Sequence, residues 1–116
     1  MLNIEENQNV SVIRLSGNLV MSNADHYRSQ LTRYIQQDHS LLVVDLSQVT
    51  FVDSSGLAVL ISAFKKAHKL GGNLFLLSPQ NNVRTLIELT RLNQLFEIYE
   101  DEQVAIEDLN TRLVSQ

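Results

Sequence analysis

A chain of 116 residues has the length of one compact domain, and its 44% apolar and 19% charged residues, with one Pro and four Gly, exclude a disordered or collagen-like chain. Nine Lys and Arg against thirteen Asp and Glu leave a net charge of -4, which disfavours nucleic acid and anionic membrane as partners unless folding assembles a basic patch, and no Lys or Arg run supplies one. The chain has no Cys, no apolar run of membrane-spanning length and no signal-peptide pattern in Met1-Leu2-Asn3-Ile4-Glu5-Glu6, so the expectation is a soluble, cytoplasmic, single domain over residues 1–116.

Leu2 and Ile4 alternate with polar residues, Asn7-Gln8-Asn9 supplies turn chemistry, and Val10, Val12, Ile13 and Leu15 resume an extended pattern that stops at Gly17. This predicts an N-terminal hairpin. Ser22 followed by Asp25 resembles a capping box, and Ala24, Tyr27, Leu31, Tyr34 and Ile35 continue at helical spacing, predicting a helix over 23–37. Leu41-Leu42-Val43-Val44-Asp45-Leu46 lacks alternation, the pattern of a central strand covered on both faces.

From Leu57 the set Leu57, Leu60, Ile61, Phe64 and Ala67 has the helical period, with Lys65, Lys66, His68 and Lys69 in the last turns, where the helix dipole favours cations. Gly71-Gly72 stops it. Leu74-Phe75-Leu76-Leu77 reads as another buried strand, Val83, Leu86, Ile87 and Thr90 as a helix, Phe96-Glu97-Ile98-Tyr99 as a strand covered on one side, and Ala105, Ile106, Leu109 and Leu113 as a final helix opened by Asp101-Glu102. Strand-helix alternation of this kind implies an α/β domain: a mixed sheet of about five strands, helices mainly on one face, joined by right-handed βα crossovers.

Little in the chain suggests catalysis. His26, His39 and His68 are widely spaced and read as solvated surface residues, with no metal-ligand pattern. A serine hydrolase needs a base beside its nucleophile, yet His68 follows Ser55 by a helical path of roughly 20 Å at 1.5 Å per residue. Neither a nucleophile elbow nor a phosphate-binding glycine loop is present, and no cofactor is implied.

Local rules are over-specified at Phe51-Val52-Asp53-Ser54-Ser55-Gly56-Leu57, where the central strand gives way to the longest helix. Asp53 or either serine can cap the helix, and a cap alone would account for them. A cap requires no Gly56, however, which costs roughly 0.5–1 kcal/mol relative to Ala in a helix, and a close approach at this position is the competing reading. The loop leaves a parallel strand at its carboxyl end, the usual functional edge of such a sheet. A phosphoryl group on a serine at a helix start would add about -1.5 to -2 charge, meet free N–H groups and be presented outward. Local chemistry does not choose between Ser54 and Ser55.

Val44-Asp45-Leu46-Ser47-Gln48-Val49-Thr50-Phe51-Val52-Asp53-Ser54-Ser55-Gly56-Leu57 resembles the signature of the STAS domain of bacterial anti-sigma factor antagonists. Gly17-Asn18-Leu19, Gly71-Gly72-Asn73-Leu74 and Phe96-Glu97-Ile98-Tyr99 leading to Val104-Ala105 follow in the family's order. The resemblance implies a non-enzymatic switch. Its unphosphorylated form sequesters an anti-sigma factor that is also a serine kinase of the histidine-kinase-like ATPase type, phosphorylation ends the binding, and a PP2C-type phosphatase restores it. The phosphoacceptor carries over to Ser55, with Asp53, Ser54 and Gly56 as its partner-binding setting. Two departures stand out: Val20-Met21 where the family often has an acidic residue, and Arg91-Leu92 where many members have Gly-Leu, with Asn93 available for the left-handed helix end. The alternative is a constitutive STAS scaffold or regulatory subunit of a larger assembly, without phospho-switching.

Overall fold

The computed structural model describes the backbone of residues 1–114 and the side chains of residues 1–111. Along the chain run β1 (Leu2–Asn7), β2 (Val10–Leu19), α1 (Met21–Ile35), β3 (Leu41–Val52), α2 (Ser54–Lys69), β4 (Asn73–Leu77), α3 (Asn81–Leu89), a 3-10 turn (Leu92–Gln94), β5 (Ile98–Tyr99) and α4 (Glu102–Val114). The sheet order is β1-β2-β3-β4-β5, antiparallel between β1 and β2 and parallel thereafter, which places β3 in the middle.

The non-alternating strands have the predicted cause. Leu42, Val44 and Leu46 of β3 and Leu74 and Leu76 of β4 join Ala24, Tyr27, Leu31, Ile35, Leu57, Leu60, Val83 and Ile87 in a core beneath α1, α2 and α3. Leu41, Val43, Phe75 and Leu77 point the other way, against Ala105, Ile106 and Leu109 of α4. Three helices therefore cover one face and one the other. On the α4 face Arg14 donates to Glu5, Asp45 and Glu102, at 2.9, 2.8 and 2.8 Å for the shortest bond to each. Hydrogen bonding to Glu102 first, then to Glu5, holds the guanidinium more firmly protonated than usual, while Arg14 pulls the Glu5 carboxyl below its ordinary range.

Several boundaries differ from the sequence reading. Gly17, at φ +83°, does not end β2 but kinks it, and register shifts between Arg14 and Ser16 and between Gly17 and Asn18 carry the strand on to Leu19. Helix α1 starts at Met21 rather than 23, because Asn23, not Ser22, closes the start: its Oδ1 accepts from the Val20 N–H at 2.9 Å and its Nδ2 donates to the Asn18 carbonyl at 2.9 Å. In α2, Val59 and Ala63 are buried, whereas Ile61 and Phe64, assigned to the core by period, are only partly buried. The strand expected over residues 96–99 shrinks to Ile98–Tyr99, since the 3-10 turn carries Phe96 inward to an edge-on contact with Phe64 at 5.3 Å. Arg91, not Asn93, adopts the left-handed conformation after α3, at φ 61°.

Two of the histidines are also more engaged than expected. His39 stacks on Tyr34 at 4.0 Å and reaches Glu6 at 3.1 Å, and His68 bonds Asn73 at 3.0 Å. His26 is exposed, as expected.

Candidate functional site

Four chain segments converge at the carboxyl end of the sheet: the end of β2, the start of α1, the end of β3 and the start of α2. Their junction is Asp53. Its Oδ1 accepts from the Gly56 N–H at 3.0 Å, capping α2, and its Oδ2 accepts from the Met21 N–H at 3.1 Å, in the first turn of α1. One carboxylate thus serves two helix starts whose positive dipole ends meet at the same place. The Gly56 N–H holds the Asp53 carboxyl below its ordinary range; burial opposes it next, and the Met21 and Ser55 N–H groups add to the lowering.

The close approach expected at Gly56 is internal. A Cβ at that position would lie 2.1 Å from the Leu19 carbonyl oxygen and 2.9 Å from the Val52 side chain. The Leu19 carbonyl is fixed there by the Asp53 N–H at 3.2 Å. Gly56 is therefore required by the crossing of the β2 end with the first turn of α2, which brings Ser54 and Ser55 to the same edge as Met21. The rim is tied further by Thr50 to Asn18 at 3.0 Å and by Asn82 to the Thr50 carbonyl at 2.8 Å.

Of the residues singled out from the sequence, Asp53 and Gly56 are brought into one hydrogen-bonded unit, Ser54 is exposed and Ser55 half-buried. Neither serine hydroxyl takes part in a hydrogen bond among the described residues. The N–H groups expected to be free for a phosphate are partly taken, because Asp53 holds that of Gly56. His68 lies at the opposite end of α2, bonded to Asn73, away from both serines. The contribution of Met21 and Asn23 was missed by sequence reasoning; an amide three residues after Val20 was the available signal, and it was overshadowed by Ser22. Two large apolar side chains of the segments that meet here are exposed, Met21 of α1 at 77% and Phe51 of β3 at 53%.

A family profile described as the STAS domain matches residues 1–105. The chain belongs to the STAS domain family. As a STAS domain it is 30% identical over 111 residues to the anti-sigma F factor antagonist of Paenibacillus polymyxa, covering 93% of each chain. A crystal structure of an anti-sigma factor antagonist from Mycobacterium paratuberculosis superposes with a TM-score of 0.85 at 26% identity, over 95% of this chain and 93% of that one. The Bacillus cell fate determinant SpoIIAA, solved in its phosphorylated form, shares the fold with a TM-score of 0.74 at 22% identity, over 93% of this chain and 98% of that one. The expected sheet of about five strands with helices mainly on one face is thus the STAS fold. Among the described residues of this STAS domain, no helix is long and apolar enough to cross a membrane.

Proposed function

We propose that this chain, acting as one STAS domain over residues 1–116, is a cytoplasmic anti-sigma factor antagonist controlled by phosphorylation of Ser55. In the unmodified state the edge formed by Asp53, Ser54, Ser55 and Gly56 binds an anti-sigma factor that is also an ATP-dependent serine kinase of the histidine-kinase-like type. The Ser55 oxygen attacks the γ-phosphorus of ATP held by that partner, the bond to the bridging oxygen breaks, ADP leaves and the hydroxyl proton is lost. A PP2C-type phosphatase hydrolyses the ester and restores binding. The observation that carries this reading is a pair of serine hydroxyls on the first turn of α2 that are unengaged among the described residues, with an internal bracket beneath them at Asp53 and Gly56. The names of the relatives support the anti-sigma partner, and a phosphorylated protein of the same fold supports the fold's tolerance of the group.

Incubation with the anti-sigma factor kinase and ATP, followed by mass-spectrometric mapping, tests it. One phosphate is expected on Ser55, with partner affinity falling at least about tenfold, because a dianion in a desolvated contact costs more than the roughly 1.4 kcal/mol that a tenfold change represents. Ser55→Ala is expected to bind and take up no phosphate. Phosphorylation of Ser55→Ala at the wild-type rate overturns the site, and equal affinity of the modified and unmodified chains overturns the switch.

A further inference from the structure

The two helices that start at Asp53 run side by side down one face of the sheet, and their charge is opposite to that of the rest of the molecule. Helices α1 and α2 together carry Arg28, Arg33, Lys65, Lys66 and Lys69 against the single acid Asp25, a net of +4 on a chain whose total is -4. Lys65, Lys66 and Lys69 lie together in the last turns of α2, and folding sets Arg28 of α1 opposite Lys65, while Arg33 lines a separate hollow with Leu2 and Ile4.

Between the helices lies an open groove of about 400 Å³ lined by Arg28, Ala58, Ile61, Ser62 and Lys65. Its floor is Ala58 and Ile61, both incompletely buried, and its walls are cationic. Arg28 has one ion pair among the described residues, at 3.2 Å to Asp25, whose side chain is 94% exposed. Lys65, and Lys69 one turn beyond it, have no ion-pair partner among the described residues. The groove is continuous with the candidate interface, since Ser54, Ala58, Ile61 and Lys65 follow one another at helical spacing on α2 and Met21 opens α1 beside them.

We propose that the α1/α2 groove is a docking site for an acidic amphipathic helix of the partner protein. The apolar floor takes anchors at i, i+3, i+4 and i+7 of the incoming helix, and Arg28, Lys65 and Lys69 pair with carboxylates on its flanks. An apolar floor serves such a helix and does nothing for a phosphate backbone, and the -8 carried outside α1 and α2 repels a polyanion long enough to leave the groove. This rests on the reading of the chain as an anti-sigma factor antagonist and names the chemistry of its partner's surface. A phosphate on Ser55, at the head of the groove, would cut the local charge by about half and weaken the same contact from its end.

The test uses the full chain with two probes: the anti-sigma factor that passes the kinase assay, and a synthetic helical peptide with Leu at i, i+3, i+4 and i+7 and Glu on its flanks. For both probes, Arg28→Glu and Lys65→Glu are expected to weaken binding roughly tenfold each, and raising salt from 50 to 300 mM to weaken the wild type similarly. Ile61→Glu is expected to abolish peptide binding, and peptide-induced amide shifts should cluster at residues 28, 58, 61, 62 and 65. An anti-sigma factor that binds wild type and charge-reversed chains equally overturns the groove while leaving the functional reading intact. Peptide binding at the groove without any anti-sigma factor binding sustains the groove and overturns that reading. Failure of the peptide to bind, binding of a Lys-flanked peptide with equal affinity, or tighter binding of a DNA duplex than of the Glu peptide, each overturns the acidic-helix assignment.

Discussion

Gly56 shows how a single residue's usual energetics can reverse. In an exposed helix, Gly→Ala gains roughly 1 kcal/mol from propensity. Here the added methyl would sit 2.1 Å from a backbone oxygen that the Asp53 N–H holds in place, so the end of β2 and the start of α2 must separate. Gly56→Ala is therefore expected to destabilise the domain by about 1–3 kcal/mol, the range for overpacking, as measured by urea unfolding. A stabilised variant would show that the β2 end yields freely. The sequence signalled the need for close approach at this position but not its object, since Leu19 lies 37 residues away along the chain and only the fold brings it near. The same holds for Asp53: its role as the cap of α2 could be read locally, but its bond to Met21 could not.

At the scale of elements, α1 and α2 act as a pair because one carboxylate serves both starts. Asp53 is held below its ordinary pKa, so it binds fewer protons in the folded state than in the unfolded chain near that pKa. Its contribution to stability is complete above the unfolded value of about 3.9 and is lost as pH falls through the lower folded value. Asp53→Asn should lower the thermal midpoint at pH 7 and flatten its decline on acidification below about pH 4, measured by circular dichroism melts across pH. An unchanged acid limb in the variant would show that other carboxylates, such as Glu5 beside Arg14, carry the dependence. Helix existence and type were legible throughout, from apolar spacing and the Gly71-Gly72 stop. Helix starts and faces were less so, since Asn23 outcompeted Ser22 by reaching two backbone groups of the β2–α1 connection, and Ile61 packs at the margin of the core while Val59 and Ala63 are buried in it.

Across the whole molecule, the sheet separates two apolar cores with unequal cover. The face beneath α1, α2 and α3 supports the candidate site, while α4 alone seals the other with Ala105, Ile106 and Leu109. Ile106 is fully buried, so Ile106→Ala should cost about 2–5 kcal/mol in denaturant unfolding and raise hydrogen exchange in α4 before the rest of the chain. A loss below about 1 kcal/mol would mean that α4 contributes little to closing that face.

By itself the amino-acid sequence determined the class of fold, the order of its elements, the hairpin, the central strand and the segment around Asp53, Ser54, Ser55 and Gly56, because periodicity, caps and turn chemistry act over a few residues. Tertiary structure alone decided that two helix starts share one carboxylate, that Gly56 answers to the Leu19 carbonyl, and that Arg28 of α1 faces Lys65 of α2 across one groove. Those features depend on distances between residues far apart in sequence, which no local pattern encodes.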